Sequence, residues 1–186
     1  SIRSELAALR SQRSPLMHRN FTSDCGACAH IVKFYGCAMP SENVAVLAVE
    51  YIGGGNLQTW VEKKTPAPEP WLSHLVYQIL LALQYVHRQK RTHCDIKPAN
   101  ILVTREGDAK LADFGCASAG MGINMVGTRR YMAPERLKGE SNLPISDVWS
   151  LGVAIATAAL ASCPAQQAHI EFDQVQACET IMDTIV

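Results

Sequence analysis

Eight residues concentrate the chemistry of this chain. His93-Cys94-Asp95-Ile96-Lys97-Pro98-Ala99-Asn100 hold an acid, a cation, a turn-setting proline and a side-chain amide in one stretch. Thirteen residues beyond Asn100 stands Asp113-Phe114-Gly115, and Ala133-Pro134-Glu135 follows further on. Taken singly, each residue reads as part of a polar turn between two strands, with Asp95 capping and Lys97 solvated. A single triplet of this kind also arises by chance. Three in this order, at spacings that a strand pair and a loop can fill, point to acid–base and charge-neutralising chemistry instead.

Such residues need elements to position them. From Trp71 to Gln89 apolar side chains recur at Leu72, Leu75, Val76, Ile79, Leu80, Leu83 and Val86, a spacing that predicts one buried helical face ending just before His93. Ile101-Leu102-Val103 and Lys110-Leu111-Ala112 flank Glu106-Gly107-Asp108 and predict a hairpin whose second strand, Ala109 to Ala112, leads into Asp113. Upstream, His30 to Gly36 and Asn43 to Tyr51 are β-rich, the second apolar enough for a central strand. The Gly53-Gly54-Gly55 that follows lacks both the Gly-x-Gly-x-x-Gly form and a P-loop lysine, so it reads as a flexible connector rather than a phosphate cradle. Lys63 to Pro70 carries three prolines and separates this connector from the long helix. Asp147 to Gly152 opens a helix apolar on nearly all sides, hence buried.

The ends are less informative. Ile2 to Leu9 has good helix formers with Ile2, Leu6 and Leu9 on one face, Ser11 to Ala29 reads as an extended loop, and Gln166 to Val186 as a loop and one amphipathic helix. Cys25 and Cys28, beside His30 and Cys37, lack the second ligand pair that structural zinc requires, so no metal is expected there. The chain has 186 residues, 48% hydrophobic and 18% charged, with 17 basic against 17 acidic side chains. That balance fits a globular protein with a sizeable core and gives no reason to expect a nucleic-acid partner. The longest apolar run, Leu151 to Ala161, is too short to span a bilayer. Seven scattered cysteines without a signal-peptide pattern favour free thiols, and a cytoplasmic location is expected. Nothing in the sequence speaks to oligomeric state.

The three motifs together resemble the catalytic loop, the metal-binding turn and the end of the activation segment of a eukaryotic protein kinase. Lys97 after Asp95, and Gly127-Thr128 before Ala-Pro-Glu, look like a Ser/Thr kinase. Ile31 to Gly36, Glu50 to Leu57 and Lys110 to Ala117 are similar to the Ste-type kinases of MAP kinase cascades; the last leans to MAP kinase kinase kinases, the tier ranked slightly higher, and Gly127 to Met132 to MAP kinase kinases. The resemblance implies an α+β, two-lobed protein-kinase-like fold. Residues 1–49 would be a remnant of the small β-rich lobe (C helix and last strands only), 50–55 the hinge, and 56–186 most of the helical large lobe. ATP and Mg²⁺ are the implied cofactors, and the implied partner is a protein substrate such as a downstream kinase.

The same resemblance assigns roles residue by residue. Asp95 would orient the substrate hydroxyl and accept its proton late in transfer, Lys97 would neutralise the γ-phosphate, and Asn100 and Asp113 would bind Mg²⁺. Glu5 would be the C-helix glutamate, Val49 the gatekeeper, and the backbones of Glu50 and Ile52 would bond adenine, with Leu102 beneath the ring. Leu9, Phe34, His93 and Phe114 match the four residues that stack across the lobes. Gly127, Thr128, Tyr131, Ala133, Pro134 and Glu135 would dock the substrate, and Asp147 would hold the catalytic-loop backbone.

Two departures qualify this. No glycine-rich loop or Val-Ala-Ile-Lys strand precedes the C helix and no late arginine pairs with Glu135, so the sequence reads as truncated at both ends and inactive by itself. Cys94 stands where most kinases have Arg, and the segment from Gly115 to Gly127 offers only Ser118 as a phosphate acceptor, so no switching by activation-loop phosphorylation is expected. Cys94 and Cys116 would approach through strand pairing; inert buried thiols are favoured over a redox link. A pseudokinase or scaffold is the alternative function, disfavoured by the retention of Asp95, Lys97, Asn100 and Asp113.

Overall fold

The computed structural model describes residues 28–41, 44–119, 127–139 and 143–161. The expected helix at Ile2–Leu9 with Glu5 and Leu9, Cys25, the segment 120–126 and the tail from 162 lie outside the described residues. The chain divides into two compact units, Ser1–Tyr51 and Ile52–Val186.

In the first unit, strands β1 (Phe34–Ser41) and β2 (Val44–Val49) form an antiparallel pair. The ladder is broken twice, between Phe34 and Gly36 and between Ala38 and Ser41. β1 starts four residues later than the predicted His30–Gly36 run and overlaps it at Phe34–Gly36, with an isolated bridge at Ile31. Gly36 and Pro40, residues that weaken or end strands, sit inside it near those irregularities. The backbone of Lys33 and Glu50 closes the base of the hairpin: Glu50 N donates to Lys33 O at 2.8 Å, and Lys33 N donates to the Glu50 carboxylate at 3.1 Å. β2 is not a central strand among the described residues, since its one partner there is β1.

The second unit opens with a correction. Gly53 to Gly55 do not form a loose connector. A side chain on Gly54 would strike the carbonyl oxygens of Val103 and Thr104, so only glycine allows the backbones to approach this closely. Val103 N then donates to Gly55 O at 2.9 Å. The chain enters helix α1 (Leu57–Glu62) through a capping box: Asn56 accepts from Thr59 N at 3.1 Å, and the Thr59 hydroxyl accepts from Asn56 N at 3.3 Å.

Helix α2 (Glu69–Arg88) begins with Pro70 in its first turn, where the missing N–H costs no helical bond. Its buried stripe is Leu72, Leu75, Gln78, Ile79, Ala82, Leu83 and Val86. Full burial of Leu75 and Ile79 contributes roughly 1.5–3 kcal/mol each. Gln78 is the polar member of that stripe, and its role is to fasten a hairpin. Its Oε1 accepts from Ala109 N at 2.6 Å and its Nε2 donates to Asp108 at 2.6 Å. His74 reaches the same carboxylate at 2.9 Å, and Trp71 Nε1 donates to Gly107 O at 3.1 Å.

That hairpin is β4 (Ile101–Val103) with β5 (Ala109–Leu111), preceded by a short β3 (Arg91–Thr92) that pairs with β6 (Ser118–Ala119). Helix α3 (Pro134–Leu137) is a single turn, and α4 (Pro144–Ala159) packs on α2 and α1. α4 buries Leu151, Val153, Ala154 and Ala158, yet Ile145 and Val148 are exposed, so it is not covered on nearly all sides by the described residues. Helices and small antiparallel pairs in separate stretches make this an α+β chain.

Candidate active site

Thr92 to Ile96 form the most enclosed non-helical stretch of the second unit, each 7% exposed or less. Most of it has no ladder partner, so side chains satisfy its backbone. Asp147, in the first turn of α4 and 1% exposed, accepts from His93 N at 2.8 Å and from Cys94 N at 2.9 Å. His87 at the end of α2 donates to the same carboxylate at 2.8 Å. Cys94 has φ 70, a left-handed conformation disfavoured for a residue with a Cβ, and these bonds hold it there.

His93 is fully buried and its two ring nitrogens have different tasks. Nδ1 accepts from Asp95 N at 3.3 Å, which leaves Nε2 to donate to Ala112 O at 3.0 Å. That pattern is the neutral imidazole, in agreement with burial pushing its pKa below the usual histidine value. Phe114 packs against the ring at a tilt of 57°, with centroids 4.7 Å apart.

Asp95 projects from this loop into a set of donors. Its Oδ1 accepts from both the backbone N and the hydroxyl of Thr128 at 2.8 Å, and its Oδ2 from Lys97 Nζ at 2.7 Å. Lys97 also donates to the Thr128 hydroxyl at 3.1 Å. Burial works to raise the Asp95 pKa, but the hydrogen bonds from Lys97 and Thr128 outweigh it and hold the carboxyl below the usual aspartate value. The group is ionised at neutral pH. Asn100 Nδ2 donates to Asp95 O at 2.9 Å and to its carboxylate at 3.3 Å.

Both Asn100 bonds run through the amide nitrogen, which leaves the amide oxygen as the end available to a cation. Ala112 N donates to Asn100 O at 2.9 Å, so the backbone brings the neighbouring Asp113 close to Asn100. Asp113 is exposed, left-handed at φ 61, and its Oδ1 accepts from Gly115 N at 3.3 Å. Carboxylate and amide oxygens are the hard donors that Mg²⁺ takes. Leu102 is half-buried on β4, in a bridge with Asn56.

Gly127 and Thr128 reach the Cys94–Asp95 loop directly. Gly127 (φ 106) lies so close to Cys94 O that an added Cβ would come within 2.3 Å of it, and Thr128 follows onto Asp95. Tyr131 and Ala133 are buried, and Pro134 opens α3. Glu135 accepts from Ser146 Oγ of α4 at 2.6 Å. Arg136 Nη1 donates to Cys94 O at 2.8 Å.

The second unit thus gathers Asp95, Lys97, Asn100, Gly127 and Thr128 around one carboxylate, with Asp113 nearby. Val49 (exposed) and Glu50 belong to the first unit and half-buried Ile52 to the second; Glu5 is outside the described residues. Cys28, Cys94 and Cys116 are free thiols, and Cys94 Sγ is directed at Thr92 O, 3.6 Å away. Sequence reasoning missed His87, Arg136 and Ser146. Their partners lie 11 to 60 positions away, a separation no local pattern encodes.

A buried acid loop is locked by a helix aspartate, and Thr128 donates to its acid. Residues 10–185 match the family described as the protein kinase domain, and the chain belongs to that family. It is similar to the dual specificity mitogen-activated protein kinase kinase 1 of Dictyostelium discoideum, 39% identical over 141 residues that cover 73% of this chain and 21% of that protein. Mitogen-activated protein kinase kinase 1c of Physcomitrium patens is 35% identical over 150 residues, 77% of this chain and 43% of that protein. Mitogen-activated protein kinase kinase 3 of Arabidopsis thaliana is 38% identical over 140 residues, 70% and 27% respectively. All three are MAP kinase kinases, the tier the Gly127–Met132 stretch resembles, rather than the slightly higher-ranked one. The chain spans less than half the length of these relatives.

Proposed function

We propose that the protein to which these residues belong is a Ser/Thr protein kinase of a MAP kinase cascade, at the MAP kinase kinase level, which transfers the γ-phosphate of ATP to hydroxyls of a downstream kinase. The observation that carries this is the fixed Asp95 carboxylate, with Lys97 and Thr128 on its oxygens and Asn100 on its backbone. Asp95 orients the incoming hydroxyl and receives its proton as the phosphoryl group leaves ATP. A carboxyl held below its usual pKa is a weak base, so its main work is orientation, with proton transfer completed late. Lys97 bridges Asp95 and Thr128 and brings its positive charge to the place where the phosphoryl group arrives. Asn100 and Asp113 would hold Mg²⁺, which when bound neutralises the ATP phosphates. Glu5, Val49, Glu50, Ile52 and Leu102 are assigned to the ATP site, Tyr131 to Glu135 to substrate docking, and 50–55 to the hinge. The cysteine usage supports a cytoplasmic setting. No observation favours the scaffold alternative.

The test is Asp95→Asn in the full-length protein. The substitution keeps the shape and the Thr128 contact but loses the charge. It is expected to lower phosphotransfer to a kinase substrate by roughly 10²–10⁴-fold while ATP binding is kept. Transfer at the wild-type rate would rule the assignment out.

A further inference from the structure

Among the described residues Arg136 is the one Arg or Lys that is buried, at 4% exposure. Burying a guanidinium is unfavourable unless its donors find acceptors. Arg136 places Nη1 2.8 Å from the carbonyl oxygen of Cys94. That carbonyl belongs to the peptide joining Cys94 to Asp95, and Cys94 is left-handed. Rotation of this peptide towards an ordinary conformation would carry the oxygen away from Arg136. The same rotation would turn Asp95 out of the donors of Thr128 and Lys97. Asp147 holds the N–H side of Cys94, so Arg136 completes the restraint from the carbonyl side. Cys94 itself directs its thiol back at Thr92 O, 3.6 Å away, and brings no charge to the loop. The neighbour of Arg136, Glu135, is tied to Ser146 of α4, so the short helix that carries the guanidinium is anchored independently.

We infer that Arg136 is a positioning residue for the transfer reaction. By holding the Cys94 carbonyl it fixes the peptide that aims Asp95, and it makes that aim depend on the seating of the substrate-docking helix α3. This rests on the kinase reading above. It adds a second path from the docking segment to the acid, through main chain rather than through Thr128.

The experiment compares Arg136→Met with wild type in the full-length protein by steady-state phosphotransfer and by amide hydrogen exchange. The loss of one charged hydrogen bond in the aligned state is expected to lower kcat by roughly 10–100-fold. KM for ATP should change by less than about threefold, because the nucleotide contacts are untouched. Exchange should quicken at residues 93–95 and stay unchanged in α2, a split that general destabilisation would not produce. Arg136→Lys, which keeps the charge without the planar fork, should fall between the two. Cys94→Gly added to Arg136→Met should recover part of kcat, since glycine accepts the left-handed conformation without a Cβ penalty. Unchanged exchange at 93–95, or faster exchange with kcat intact, overturns the positioning role. If wild-type protein transfers no phosphate, the kinase reading fails, and the exchange comparison still decides whether Arg136 holds the loop. Should Arg136→Met not fold, Arg136→Lys carries both measurements with the same decision.

Discussion

The β1–β2 hairpin and the Thr92–Ile96 loop invert the usual relation between regular structure and enclosure. The hairpin has a ladder, but Val44 and Val46 on one face of β2 and Leu47 and Val49 on the other are 48–56% exposed. The loop has almost no ladder, yet His93 and Ile96 are 1% exposed or less. A two-stranded ribbon draws little stability from its hydrogen bonds alone, since water competes for them. The loop is specified by acceptors and donors converging from distant elements: Asp147 on its N–H groups, Arg136 and Asn100 on its carbonyls, and Thr128 on its acid. Enclosure and long-range side-chain bonds, not secondary structure, distinguish the loop from the hairpin.

That contrast can be broken by substitution. Asp147→Ala leaves the His93 and Cys94 N–H groups buried without their acceptor and should destabilise the second unit by roughly 3–5 kcal/mol in urea denaturation. A cost below about 1 kcal/mol would mean that the loop is held by something else. Acid should act next, through His93. Its pKa is lowered in the folded state, so the unfolded chain binds the extra proton as pH falls below about 6.5. The stability contributed by neutral His93 is therefore complete above that pH and is lost on acidification towards the folded pKa, with a slope of at most about 1.4 kcal/mol per pH unit. His93→Phe should flatten this part of a pH–stability curve; an unaltered curve would remove His93 from the account. Leu47→Thr is the smallest expected effect, within about 0.5 kcal/mol, because the side chain is 56% exposed. If it rivals Asp147→Ala, the contrast between the regions does not hold.

Much of this was legible from residue order. The acid, cation and amide of Asp95, Lys97 and Asn100 do converge. The three-and-four spacing finds the buried Leu72, Leu75, Ile79, Leu83 and Val86 of α2, but Val76 is half-buried and Leu80, expected on that face, is 40% exposed. α1 is not evident from the sequence although Asn56 and Thr59 carry a capping signal, because the preceding glycines read as an unstructured stop. They are there for a close approach to Val103 and Thr104, which is a tertiary fact. The start of β1 was misplaced because strand limits depend on pairing with β2 and not on β propensity alone. Arg136 and Ser146 stand beside residues that were singled out, yet their partners depend on how α3 and α4 meet the loop.

The turn at Thr104 to Asp108, between β4 and β5, has a consequence for anyone engineering this chain. It is short, polar and glycine-bearing, the kind of site usually chosen for an inserted tag or reporter. Trp71, His74 and Gln78 grip it from α2, and the strand leaving it runs straight to Asp113. Cargo placed there would misalign Asp113, three residues past the strand's middle, so a splice at this tip is a lesion in the candidate site.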